Sequence, residues 1–351
     1  MSSDKKLIIF TGGGTGGSVT PLLALAEELE GHGFDFAWIG TRSGVELRMV
    51  AEQGIEYYPI AAGKFRRYLS WRNFVDPLYI AAGFFQSLSL LSSLKPRLVV
   101  TAGGFVSVPV VWAAWALRIK VIVHQQDIRP GLANRLMAPC ASAITVTFPK
   151  SLKDYGTKAR LTGNPVRRAF KNALAGNSHP PQRRPRILIL GGGTGSEALN
   201  ALTLASVPAL APICDIVHVT GVEKKESLSG QSHYQAYPFV NVATMAHEMS
   251  QADLVITRAG LGTLSELSFL GKPTVIIPMP GTHQEDNASF FERRHAALVL
   301  NQNELTPAVF SATITRLLKD DAWRDEFGTA MKLAMTQGAN EALAKLILEM
   351  E

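Results

Sequence analysis

KLIIFTGGGTG, residues 6–16, and RILILGGGTG, residues 186–195, are two copies of one pattern set about half the chain apart. Each is a short run rich in isoleucine and leucine, then glycines, then residues of helical periodicity. After the first copy Leu22, Leu25, Ala26 and Leu29 fall on one face of a predicted helix, Pro21–Glu30; after the second the helix is predicted at Glu197–Leu210. Strand, glycine turn and helix open a βαβ unit of the parallel-sheet kind. Further strands are predicted at Phe34–Ile39, Tyr57–Ile60, Leu98–Ala102, Val121–His124 and Ala143–Thr147, then at Ile216–Thr220, Leu254–Thr257, Thr274–Ile277 and Ala297–Leu300. The polar, proline-rich NSHPPQRRP, residues 177–185, reads as a linker. The pattern therefore predicts an α/β protein of two Rossmann-like domains: residues 1–170, a linker over 171–185, and 186–351, whose last helix is free to pack back on the first domain. Ligands of open parallel sheets sit beyond the carboxyl ends of the strands, so the glycine loops of both halves are expected to face one cleft.

Composition narrows the function classes. A length of 351 residues suits two domains, and 46% hydrophobic with 18% charged residues excludes intrinsic disorder. A net charge of +6 is too small to mark a nucleic-acid binder but suits a partner carrying phosphates or an anionic surface. Cys140 and Cys214 stand far apart, which argues against a disulfide framework or a cysteine zinc site and for a reducing cytoplasm. The apolar stretches Val106–Leu117 and Ile80–Leu94 both fall short of the roughly 20 residues a membrane span needs. The expectation is a soluble protein, or one that rests on a membrane surface.

Several loops carry candidate chemistry. Residues 12–17 match GxGxxG, but FAWIGTRSG at the end of the second strand lacks the acidic residue of a dinucleotide site. RAGLGTLSE, residues 258–266, follows a strand and enters a helix, which makes a diphosphate cradle. Glu266 there is placed either to accept two vicinal sugar hydroxyls or merely to favour the helix dipole. His283, Gln284 and Asn287 suit hydroxyl recognition or a solvated loop. His124 and Asp127, three apart at a strand end, suit a general base and its helper or a structural role. Arg167, after Asn164-Pro165, is available to an anion. No GKS or GKT, zincin spacing, GxSxG or strand-end DxD occurs, so neither a metal nor a cofactor is expected.

Taken in order, GGGTGGSVTPLLALAEEL, WIGTRSGVE, AGGFVSVPV, HQQDIRPGLANR, LTGNPVR, LGGGTGSEALN, TRAGLGTLSEL and HQEDNA resemble the MurG family of bacterial glycosyltransferases, from about Leu7 to Leu300. The resemblance implies a GT-B fold and transfer of N-acetylglucosamine (GlcNAc) from its UDP donor to the muramyl 4-hydroxyl of lipid I, forming lipid II with inversion. By family pattern the second domain holds UDP-GlcNAc. The Val242 backbone meets uracil, Gly260, Leu261, Gly262, Thr263 and Leu264 face the diphosphate and sugar, and Glu266 takes the ribose, while Arg258 and Ser265 belong to the cradle read from the loop itself. Gln284, with His283 beside it, recognises the sugar, while Arg167 and the Gly191–Gly195 loop, Gly193 and Thr194 included, close over the nucleotide. In the first domain Thr15, Gly16 and Gly17 face the acceptor.

Three departures stand out. The family reads GGTGGH where Ser18 stands here, HEQN has become His124-Gln125-Gln126-Asp127, and GGSQG has become Gly192-Gly193-Thr194-Gly195-Ser196. The missing His puts the usual base in doubt, leaving Asp127, His124 and Ser18 as catalytic candidates. The same changes leave room for a different acceptor, for a sugar-nucleotide epimerase, or for a UDP-GlcNAc-binding protein without turnover. KFRRYL at 64–69, Trp71-Arg72 and the aromatic residues that follow suit either docking on the cytoplasmic face of an anionic bilayer or a core helix with a basic rim.

Overall fold

The computed structural model describes residues 5–14, 16–63, 72–175, 184–192, 195–221 and 231–350. Thr15, Gly193, Thr194, residues 64–71 and most of the expected linker lie outside them. The chain forms two units, Met1–Arg167 with Thr336–Glu351, and Arg168–Met335.

Seven strands build the first unit's sheet: β1 Lys6–Thr11, β2 Phe34–Gly40, β3 Glu56–Pro59, β4 Leu98–Thr101, β5 Lys120–Gln125, β6 Ala143–Val146 and β7 Ala159–Leu161. Their order is β3-β2-β1-β4-β5-β6-β7, and every pairing is parallel. A strand buried on both faces needs apolar residues on both. In β1, accordingly, Leu7 and Ile9 enter one core and Ile8 and Phe10 the other. The first core is covered by helices Arg72–Leu94 and Ser107–Ala116, the second by helix Thr20–Glu28 and the chain's last helix, Ala339–Met350.

The second unit repeats the plan with β8 Arg186–Leu190, β9 Asp215–Val219, β10 Tyr234–Tyr237, β11 Leu254–Thr257, β12 Thr274–Ile276 and β13 Leu298–Val299, in the order β10-β9-β8-β11-β12-β13. All pairings are again parallel. Strand order reverses at β1 in one sheet and at β8 in the other. Crossovers leave in opposite directions there, and a crevice opens beyond the strand ends. The loops following β1 and β4, and those following β8 and β11, therefore gather in one place in each unit.

The sequence pattern misses β7 and β10. Both are short edge strands, ARL and YQAY, whose partly exposed residues carry no apolar run to mark them. Unit boundaries also differ from the expected ones. Arg168–Ala175 is a helix of the second unit, packed on helix Val242–Gln251 through the fully buried Phe170 side of its surface.

Helix Arg72–Leu94 is longer than the stretch Ile80–Leu94 suggests, and its Asp76–Leu94 portion is long and apolar enough, by length and composition, to cross a membrane. Here it lies against helix Ser107–Ala116, with Leu91 buried and Leu88 and Leu94 packed on the sheet. Of its polar residues, Gln86 ties the helix to the loop after β3, its Oε1 accepting from Ala61 N at 2.7 Å, and Ser87 bonds within the helix to the Gly83 carbonyl at 2.7 Å.

Asn340 fastens the last helix to the first unit. Its side chain accepts from Val166 N at 2.9 Å and donates to the Val166 carbonyl at 2.9 Å and the Ala24 carbonyl at 3.5 Å. Asn340→Ala leaves two buried backbone groups of Val166 unpaired and is expected to cost about 2–4 kcal/mol. Urea unfolding checks this: the midpoint of the first unit falls and that of the second stays in place.

Candidate active site

In the first unit the loop after β1 turns on Gly14, whose φ of +86° is in the left-handed region where a side chain is strained. Gly12 accepts from the Trp38 indole at 3.1 Å, and the backbone of Gly104, from the loop after β4, lies close against the Gly13 carbonyl. Gly16–Ser18 is a 3₁₀ turn leading into helix Thr20–Glu28. The Ser18 hydroxyl is buried and donates to the Gly13 carbonyl at 3.4 Å, so its proton is used within the loop. A carboxylate the sequence did not single out, Glu46, lies buried against the same loop.

The expected base and helper part company beyond β5. His124 is fully buried, with Nε2 at 2.8 Å from Asn164 Oδ1 and Nδ1 at 2.8 Å from Thr145 Oγ1. Asn164 Oδ1 can only accept, so Nε2 carries the proton and the Nδ1 lone pair is taken by the threonine hydroxyl. Burial pushes the imidazole down to about 4, against a smaller opposing effect from Asn164. This is a structural histidine, whereas Asp127 is half-buried at the rim. Gln125 shapes that rim. Its Nε2 donates to the Asp127 carbonyl at 2.6 Å, and its Oε1 accepts from Asn134 Nδ2 at 2.6 Å and the Tyr155 hydroxyl at 3.0 Å. A glutamate at this position lacks the donor that holds the Asp127 carbonyl. Gln126 ties the loop to the Ala102 carbonyl, and half-buried Arg167 ends the first of the unit's two segments, next to Val166.

In the second unit Ser196, at the end of the glycine loop after β8, caps helix Glu197–Leu210 by accepting from Leu199 N. Arg258, expected to face a diphosphate, instead turns inward. Nε and Nη2 donate to Ser196 Oγ at 3.0 and 2.6 Å, Nη1 to the Ile277 and Pro278 carbonyls, and Nη2 also to Gln302 Oε1 at 2.6 Å. Every partner is neutral, so the guanidinium is a buried positive charge held under the loop ends, and burial lowers its pKa. Gln302 carried no sequence signal, since its role is defined only by a residue 44 positions away.

Helix Leu261–Leu270 begins beside it at Gly260, with no side-chain cap on the amides of Leu261, Gly262 and Thr263. Uncapped amides at a helix start favour an anion, and a buried cation nearby adds to that field. Leu264 N closes the first turn on the Gly260 carbonyl, and Ser265 bonds internally to Leu261. Glu266 is buried on this helix. Asn287 is fully buried and donates to the Ala259 carbonyl at 3.1 Å, pinning the turn. Gln284 Oε1 accepts from Met279 N, while His283 is exposed beside it. Val242 opens a helix capped by Asn241.

A neutral buried histidine has a signed consequence. An unfolded chain takes up this proton below pH 6.5, and the folded one not until about pH 4. Stability is therefore untouched above pH 6.5, falls as pH drops through the window, and levels off beneath it. His218, hydrogen-bonded to Asn200 and Tyr234 and also held near 4 by burial, behaves alike. Each should cost about 2 kcal/mol between pH 7 and pH 5. Denaturant titrations at the two pH values test this, and His124→Gln should remove about half of the loss.

Comparison with known proteins fits both halves. Residues 8–146 match the glycosyltransferase family 28 N-terminal domain and residues 186–343 its C-terminal domain. The chain is 37% identical to a UDP-N-acetylglucosamine–N-acetylmuramyl-(pentapeptide) pyrophosphoryl-undecaprenol N-acetylglucosamine transferase of Clostridium kluyveri, over 97% of this chain and 99% of that one. It is 33% identical to the Clostridium tetani protein of the same name, over 98% of both. The crystal structure of Acinetobacter baumannii MurG superposes with a TM-score of 0.73 at 28% identity, covering 98% of this chain and 99% of that one. With the two parallel-sheet units of a GT-B glycosyltransferase and relatives alike over nearly its whole length, the chain belongs to the MurG family of N-acetylglucosamine transferases.

Proposed function

We propose that this chain transfers GlcNAc from UDP-GlcNAc to the muramyl 4-hydroxyl of lipid I, making lipid II for peptidoglycan synthesis. The observation that carries the donor side is the anion-receptive start of helix Leu261–Leu270, with the neutral-bound Arg258 charge beside it. In this reading the amides of Leu261, Gly262 and Thr263 meet the diphosphate, Glu266 the ribose, Val242 the uracil, and Gln284 with His283 the sugar. Arg258 acts through its field and through Ser196 rather than by contact.

The reaction is an inverting displacement. The 4-hydroxyl oxygen forms the new bond to the anomeric carbon, the bond from that carbon to the phosphate oxygen breaks, and its electron pair leaves with UDP. The hydroxyl proton goes to the Asp127 carboxylate. Asp127 is favoured because His124 has both ring nitrogens engaged and Ser18 spends its proton on Gly13. Holding donor and acceptor in line, with the leaving charge stabilised by fixed dipoles, supplies the remaining catalysis.

UDP release with and without a short-chain lipid I analogue tests the function. Acceptor-dependent release with a product heavier by one GlcNAc supports it, and donor binding without such release points to a diverged acceptor or lost turnover. Asp127→Asn should lower kcat by about 10²–10⁴-fold with the KM for UDP-GlcNAc little changed. Unchanged turnover removes Asp127 as the base.

A lipid-linked acceptor calls for contact with the cytoplasmic face of the bacterial membrane. Leu78, Tyr79 and Phe85 on helix Arg72–Leu94 and Trp115 on its neighbour are exposed, Leu78 at 69% and Phe85 at 65%. Pro77, Ile80, Ala81, Phe84, Phe85 and Trp112 line an apolar hollow of about 450 Å³. An exposed apolar surface of this kind marks an interaction site, and we assign it to lipid. Flotation with anionic liposomes checks this: Leu78→Glu combined with Phe85→Glu should abolish binding that the unaltered chain shows.

A further inference from the structure

The stretch WIGTRSGVE has no acidic residue at the end of β2 where a dinucleotide site would place one. An acid does stand slightly further on. Glu46, in the first turn of helix Val45–Ala51, is fully buried, and its carboxylate reaches back to the loop after β1. Oε2 accepts from Gly14 N at 3.2 Å, while Oε1 accepts from Thr41 N at 3.1 Å and also from the Thr41 hydroxyl. All three donors are neutral. The carboxylate lies so close to Gly13 and Gly44 that a Cβ on either would overlap it.

The surroundings make this post rigid. Tyr57, on β3, donates its hydroxyl to the Thr41 carbonyl at 2.6 Å, and its phenol pKa is raised by burial and then by the Glu46 charge. From the other side Gly104 closes on the Gly13 carbonyl and the Phe105 ring on Gly14. The loop is thereby gripped between the carboxylate and the segment after β4. A carboxylate taken wholly out of water is costly unless its donors are well placed. A loop that supplies one of those donors cannot leave without exposing that cost. Neither Gly13 nor Gly14 has a side chain of its own to hold it.

We propose that Glu46 is the positioning residue of the acceptor-side glycine loop: its carboxylate holds Gly13–Gly14, and so presents the Gly16–Ser18 turn to the acceptor. This rests on the acceptor role proposed above for that loop. Glu46 touches no reacting atom, and its partners all belong to the first unit, so the effect of its loss falls on the acceptor alone. A carboxamide offers one accepting oxygen and turns an N–H towards donors, so Glu46→Gln breaks the grip while keeping the volume.

The test combines amide exchange with kinetics on the full-length chain. In Glu46→Gln, peptides spanning 12–18 should exchange at least tenfold faster than in the unaltered chain, with peptides spanning 197–210 unchanged. Acceptor kcat/KM should fall at least tenfold at saturating UDP-GlcNAc, while the KM for UDP-GlcNAc stays within twofold. Thr41→Val, which removes one donor, should shift both readouts the same way by less, and it carries the test if Glu46→Gln does not fold. Unchanged exchange over 12–18 overturns the proposal. So does a uniform rise across the first unit with a lowered kcat and neither KM moved, which is loss of folded protein. If the unaltered chain shows no acceptor-dependent UDP release, the acceptor reading fails, and the exchange comparison still decides whether Glu46 holds the loop.

Discussion

Every strand in both sheets runs parallel to its neighbours, and the constraint reaches well beyond the sheets. Parallel strands must be joined by crossovers, so all their carboxyl ends lie on one edge. Where the order reverses, at β1 and β8, the loops on that edge are not covered by a crossing helix. Glycine is required there because the backbone itself must pack closely: Gly13 against Glu46 and Gly104, Gly191 against Ser196. The two halves thus arrive at glycine-lined crevices by one topological route, which is why the repeat at residues 6 and 186 is visible in the chain.

The crevices differ in the charge built beneath them. In the second unit Arg258 is surrounded by the hydroxyl of Ser196, two carbonyls and Gln302, so its positive field is left to act on whatever binds above. In the first unit Glu46 is surrounded by amides and a hydroxyl, and it consumes the Gly14 donor. A buried cation with neutral partners favours an anionic leaving group, and a buried anion serves the backbone that it orders. Two glycine loops of similar sequence thus rest on a guanidinium in one unit and a carboxyl group in the other, which suits the donor and acceptor roles proposed for them.

One departure from the family pattern, His124-Gln125-Gln126-Asp127, falls into place around β5. His124 is held neutral by burial, and its bonds to Thr145 and Asn164 make it a brace between β5, β6 and the segment after β7. Gln125 supplies a donor to the Asp127 carbonyl that a glutamate lacks, so the exchange of carboxylate and carboxamide along HQQD keeps one acid in the loop and moves it to the half-buried rim.

The alternation of apolar residues, the glycine turns and the order of the motifs were legible in the chain because each depends on neighbours a few residues apart. They determined two parallel α/β units, the helix Glu197–Leu210 and the family. The short edge strands β7 and β10 were not legible, since an edge strand is defined by the strand it joins and needs no apolar run of its own. The last helix's return to the first unit was expected, but its anchor was not: Asn340 bonds to Val166 across 174 residues. Within the site the sequence named Arg258 and His124 but not their orientation, and it passed over Glu46 altogether. Whether a charged or titratable group faces solvent, a ligand or the interior is settled by partners distant in the chain and by the cost of removing it from water. Only the tertiary structure brings Ser196 and Gln302 to Arg258, Asn164 to His124, and Gly14 to Glu46.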